Sequence, residues 1–219
     1  MAIKIIRVIL YIGLWLTTGA VAFYFGTHYP NQKTILEIQN DVAVQMQKNI
    51  ARHPVYEPEM IYNDNVSFMK AVHSCIDYVN LKITPDKRIH KDIIIAMAVI
   101  ESGYGKSRFA QKGNNLFGIR TWNKDQAQLK PKDNPDVEWG VKTYITKCQS
   151  VKDMVDIINR LPVYEGFRTK RAEQLDSGEI DINALIDELA KWSTNPKYTI
   201  LVKSKAKEAK AILTENLPK

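Results

Sequence analysis

The chain has 219 residues, 45% of them hydrophobic and 25% charged, which excludes a disordered polymer and allows one medium domain with an accessory segment. Its formal net charge of +7 favours an anionic partner. No zinc-finger spacing and no aromatic-plus-basic signature accompanies that charge, so nucleic acid is not the expected partner; much of it falls in residues 203–210, where it solvates a helix face.

In chain order, residues 8–26 carry no charge and are rich in Leu, Ile, Val, Phe and Trp. About twenty apolar residues span a bilayer core, so residues 1–27 are expected to form a transmembrane helix that anchors the protein. Lys4 and Arg7 precede the run, which by the positive-inside rule keeps the N-terminus in the cytoplasm. The expectation is a single-pass protein of the cytoplasmic membrane with its folded domain on the periplasmic or extracytoplasmic side. Ala20, Val21 and Ala22 resemble a signal-peptide cleavage site, but apolar character continues through Phe23, Tyr24 and Phe25, which favours an uncleaved anchor.

Residues 31–52 have Ile35, Ile38, Val42, Val44 and Met46 near helical spacing. The prolines of His53-Pro54 and Glu57-Pro58 break that pattern. Residues 28–64 therefore read as a helical stalk, and residues 65–219 as the folded domain. Asn65 or Ser67 is placed to cap a helix carrying Phe68, Val72, Cys75, Ile76 and Val79 on one side. Pro85 sits in a loop, and a second helix covers residues 87–102. Residues 116–122 and 137–144, β-branched and aromatic, read as a hairpin with a long loop. Helical patterns return at 150–160, with Ser150 as N-cap, and at 167–176, 181–192 and 198–215. The expected fold is mainly α with a small β-hairpin lobe.

The two cysteines, Cys75 and Cys148, form no C-x-x-C motif, so a redox or zinc site is not indicated. They pair in an oxidising compartment if their Cα atoms approach closely enough; otherwise they are two small buried side chains. His28, His53, His73 and His90 are scattered without ligand spacing. No metal or cofactor is expected.

Glu101 is the residue that stands out. It lies four residues after Met97 and seven after Ile94, on or beside the apolar face of its helix. A carboxylate there is partly desolvated, which raises its pKa. A carboxylic acid still protonated near neutral pH is what a general acid requires. Gly103 and Gly105 can end the helix, Ser107 can cap a short one after it, and Asn114 and Asn115 tolerate a sharp turn. A helix-terminal Glu paired with a basic side chain fits the same periodicity.

The series Ala98-Val-Ile-Glu-Ser-Gly-Tyr-Gly-Lys-Ser-Arg-Phe-Ala-Gln-Lys-Gly-Asn-Asn-Leu-Phe-Gly-Ile119 resembles the signature of the N-acetylglucosaminidases of glycoside hydrolase family 73. Phe117-Gly-Ile-Arg-Thr-Trp-Asn123, Val141-Lys-Thr-Tyr144 and Tyr164-Glu-Gly-Phe-Arg168 are similar to the Bax-like bacterial branch. Trp192-Ser-Thr-Asn-Pro-Lys-Tyr198 resembles the family's late segment. The resemblance covers roughly residues 68–213.

It implies a lysozyme-like fold and cleavage of β-1,4 bonds after N-acetylglucosamine, with peptidoglycan glycan strands as the partner. Glu101 matches the general acid and Tyr198 the late tyrosine near the reacting sugar. Trp192 replaces the first late tyrosine, which leaves a sugar-stacking role or core packing. The second carboxylate falls among Asp125, Asp133, Asp136 and Glu138; Glu138 is chosen because it begins the apparent second strand, with Asp136 next. The substrate's own N-acetyl group is the alternative nucleophile. Asn115, Phe117, Trp122 and Tyr144 are placed to line the sugar groove, although Phe117 fits better as hairpin core. Two other functions remain open: a lytic transglycosylase, which also uses a Glu-Ser at a helix end, and a catalytically silent wall-binding module.

Overall fold

The computed structural model describes residues 2–28, 32–52 and 56–215. The His53-Pro54 break lies outside them. Helix α1 (Ala2–His28) occupies the expected anchor segment. Among the described residues, however, no helix is long and apolar enough to cross a membrane. The apolar run is interrupted by Gly13, Thr17, Thr18 and Gly19, and both threonine hydroxyls donate to the Leu14 carbonyl. These small and hydroxyl-bearing residues lower the apolar character of the middle of the run. This corrects three expectations together: the transmembrane helix, attachment to a membrane, and single-pass placement in the cytoplasmic membrane.

Helix α2 (Gln32–Arg52) follows and lies against a short 3-10 turn (Pro85–Lys87) and helix α7 (Glu165–Ser177). The core begins at α3 (Asn65–Asn80), whose Phe68, Met69, Val72, Cys75, Ile76 and Val79 are buried. Asp64, rather than Asn65 or Ser67, is its N-cap. The Asp64 carboxylate accepts from the Ser67 backbone N–H, while the Ser67 hydroxyl accepts from the Asp64 N–H. That reciprocal pair is a capping box with Ser67 at its third position.

Helix α4 (Lys91–Ser102) runs through the centre. Every residue from Asp92 to Val99 is buried, and from Ile93 onward the helix is apolar all round, as an interior helix must be. Helix α9 (Tyr198–Glu215) packs along it, and α3 packs on it from another side. Helix α6 (Lys147–Arg160) lies against α3. Its N-cap is Thr146, and Ser150 is instead fully buried, accepting from the Leu116 N–H at 3.3 Å. The short helices α5 (Arg108–Gly113) and α8 (Ile182–Asp187) complete the set.

The lobe between α5 and α6 is an open sheet rather than a simple hairpin. Strands β1 (Arg120–Thr121), β2 (Gln128–Leu129) and β3 (Gly140–Lys142) are antiparallel in the order β1-β3-β2. The expected strand pair is present as β1 and β3. Strand β2 comes from the stretch expected to be loop, and only two residues of it pair. The fold is mainly α with this small sheet.

Cys75 of α3 and Cys148 of α6 form a disulfide, with Cα atoms 5.1 Å apart across 73 residues of sequence. A cross-link over a loop of that length stabilises by about 4 kcal/mol, chiefly by restricting the unfolded chain. Replacing both cysteines with serine should therefore lower the unfolding free energy by a few kcal/mol, read as a fall in the urea midpoint. Equal midpoints for the two proteins would show that the bridge contributes nothing.

Candidate active site

Glu101 is the penultimate residue of α4, and the backbone beyond it is unusual. Gly103, Tyr104 and Gly105 all have positive φ, at 57°, 57° and 72°. An L-residue such as Tyr104 pays roughly 1–2 kcal/mol for that conformation. Its surroundings hold it there. The ring meets Phe68 edge-on with centroids 6.1 Å apart. The hydroxyl donates to Glu208 at 3.1 Å and accepts from Lys205 at 3.0 Å. Gly105 is required by space as well as conformation, because a Cβ there would sit 2.3 Å from the Tyr62 hydroxyl. The Ser102 hydroxyl accepts from the Gly105 N–H at 2.7 Å and donates to the Ala98 carbonyl. The chain thus stops the helix just after Glu101 and turns away.

Glu101 opens into a groove of about 390 Å³. One wall is the loop and first strand of the lobe, with Phe117, Gly118, Arg120 and Trp122. The other wall carries Ile157, Tyr164, Trp192 and Thr194. Gly118 (φ 63°) faces the acid directly: a Cβ there would lie 3.9 Å from Glu101 Oε2. Among the described residues lining the groove, Glu101 is the only carboxylate. A larger cavity, about 670 Å³, opens at the opposite end of α4. Its one carboxylate, Asp92, faces His90 at 3.6 Å, so size alone does not mark the site.

Burial raises the Glu101 pKa above the ordinary carboxylate range, and hydrogen bonding from Tyr198 and Trp192 partly opposes the rise. Burial, followed by the adjacent Glu101 charge, pushes the Tyr198 phenol upward. Burial pushes Tyr164 up to about 12. The Tyr198 hydroxyl is buried beside Glu101, yet no well-aligned partner for it occurs among the described residues. Tyr164 and Trp192 stack at a tilt with centroids 6.1 Å apart.

The structure therefore brings together Glu101, Tyr198, Trp192 and Trp122 of the residues singled out from the sequence. Trp122 is 63% exposed at the groove. Asn115 is 1% exposed and committed elsewhere. Its amide donates to the Ile119 and Lys142 carbonyls, and its oxygen accepts from the Phe117 and Ile119 N–H groups. It shapes the turn that presents Gly118. The Tyr144 hydroxyl donates to Asp153 at 2.7 Å, away from the groove. Glu138 and Asp136 are exposed, precede β3, and are not groove-lining. Asp125 and Asp133 are exposed too. Gly118 and Tyr164 were missed as site residues. Both lie in motifs legible in the sequence, but only the fold turns them toward Glu101.

Residues 81–211 match the family model described as mannosyl-glycoprotein endo-beta-N-acetylglucosaminidase, named glucosaminidase. Protein bax of Escherichia coli (strain K12) is 30% identical over 110 residues, which covers 50% of this chain and 38% of that protein. The chain thus spans well under two thirds of that relative's length. The crystal structure of the catalytic domain of the autolysin Auto from Listeria monocytogenes is similar in fold. It has a TM-score of 0.50 and 14% identity over 78% of this chain and 96% of that one.

The raised pKa has a defined sign in stability. Folded Glu101 holds its proton more tightly than the unfolded chain does. Its contribution is therefore fully present below the ordinary carboxylate pKa and is lost as pH rises through the raised value. Relative to Glu101→Gln, the parent should lose stability across that window in urea melts at several pH values; a difference that stays flat with pH would contradict the shift. Trp192→Phe removes the indole N–H that favours the carboxylate. It should raise the Glu101 pKa further, as read by carbon NMR of the side-chain carboxyl.

Proposed function

The chain belongs to the glucosaminidase family, and on that premise we propose that it hydrolyses the β-1,4 bonds after N-acetylglucosamine in peptidoglycan strands, with Glu101 as general acid. The catalytic unit in this reading is residues 65–219. The observation that carries it is the desolvated carboxyl of Glu101 at the floor of a groove edged by Trp122 and Trp192. A protonated acid there donates to the glycosidic oxygen as the C1–O bond breaks, leaving an oxocarbenium-like centre. Aromatic faces suit the apolar faces of sugar rings, which gives Trp122 and Trp192 their role in holding the strand. Tyr198, buried behind the groove, acts on the sugar through Glu101, whose carboxylate its hydroxyl favours.

Breaking the C1–O bond also needs a nucleophile at C1. Glu138 was the expected carboxylate, but Glu101 is the only carboxylate among the described residues lining the groove. That favours the substrate's acetamido oxygen, which attacks C1 as the leaving oxygen takes the proton from Glu101. Water then adds to C1 and returns a proton to Glu101, with net retention of configuration.

Digestion of purified peptidoglycan, with mass spectrometry of the products, tests the reading. Reducing N-acetylglucosamine ends are expected; anhydromuramic ends would make the protein a lytic transglycosylase instead. Glu101→Gln should lower turnover roughly 10²–10⁴-fold, the range that general acid catalysis supplies, without unfolding the protein. Equal activity in both would remove Glu101 from the chemistry, and binding without cleavage in either would make the chain a wall-binding module. Glu138→Gln should keep most activity. A hundredfold loss with an inverted product anomer would restore a carboxylate as the base.

A further inference from the structure

Arg120 lies on β1 and lines the groove together with Trp122. Side chains alternate along a strand, and here Thr121 is buried between the exposed Arg120 and Trp122. The Arg120 guanidinium stacks on the Trp139 ring, 3.9 Å from its centroid. A guanidinium held over a ring by its carbon keeps N–H donors for a carboxylate, which it grips through two parallel hydrogen bonds. Among the described residues no carboxylate pairs with Arg120. It is also the only cation among the described residues that line the groove. Its orientation is set in advance by Trp139, so binding an anion there costs little ordering.

We propose that Arg120 is a specificity-determining residue that binds a carboxylate carried by the glycan, next to the sugar ring that meets Trp122. This rests on the glycan reading above and narrows it: the groove takes acidic strands in preference to neutral ones. Two carboxylate sources exist on a peptidoglycan strand, the acidic peptide substituent and, where the peptide is absent, the free lactyl group.

The test is binding by calorimetry to the full chain carrying Glu101→Gln, so that no cleavage intervenes. Three probes are used: a peptidoglycan tetrasaccharide with its peptides, the same tetrasaccharide stripped of peptides, and neutral chitotetraose. The acidic tetrasaccharide should bind at least about tenfold tighter than chitotetraose, the scale of a charge-assisted bidentate pair. Adding Arg120→Ala should erase that preference, and Arg120→Lys should restore part of it. Preference confined to the peptide-bearing probe assigns the carboxylate to the peptide; preference shared by the stripped probe assigns it to the lactyl group. Equal loss on all three probes in Arg120→Ala overturns the proposal and leaves Arg120 as a support for Trp139. No preference before substitution, or no binding of any probe, overturns it as well. If the parent chain cleaves nothing while the acidic preference holds, the catalytic reading falls and this inference stands.

Discussion

The groove depends on keeping one carboxyl largely out of water. A carboxylate on a surface helix would be ionised at neutral pH and of little use as an acid. Here it sits at the last turn of a helix buried along most of its length, with α9 packed alongside. Burial raises its pKa, while Tyr198 and Trp192 stop the shift from running further. The two effects oppose each other, and burial is the larger. The left-handed turn after Ser102 ends the helix immediately beyond Glu101.

Much of this was legible before the fold was known. The apolar period of α4 put Glu101 on an inward side, and Gly103, Ser107 and Asn114 marked the turn and cap positions they occupy. The mainly helical architecture and the pairing of β1 with β3 were also readable. What was not readable was long-range. Strand β2 has two paired residues, too few to leave a period-2 pattern. Glu138 looked anchored because an apparent strand began there, but pairing begins at Gly140, and Glu138 stays in exposed chain. Asn115 looked like a sugar ligand because asparagine binds acetamido groups; its four bonds to backbone are invisible until the turn closes. The apolar N-terminal run suggested a span, and no described helix meets that requirement.

The binding surface is divided between parts of the chain with different characters. The lobe wall is short strands and turns, held by backbone hydrogen bonds and by Asn115. The opposite wall is helical, with Tyr164 and Trp192 stacked against each other. Gly118 provides the clearance between them at the acid. Charge is uneven across the groove, since Arg120 supplies its cation from the lobe side and the helical side contributes aromatic and hydroxyl groups.

The disulfide joins positions 75 and 148, so the covalent loop it closes contains Glu101, Gly118 and the whole sheet. Tyr164, Trp192 and Tyr198 all lie beyond it. The loop can therefore close with Glu101 and the lobe in place before Tyr198 and Trp192, which hydrogen-bond the carboxyl, have docked. The cross-link thus holds one wall of the groove, and packing alone holds the other.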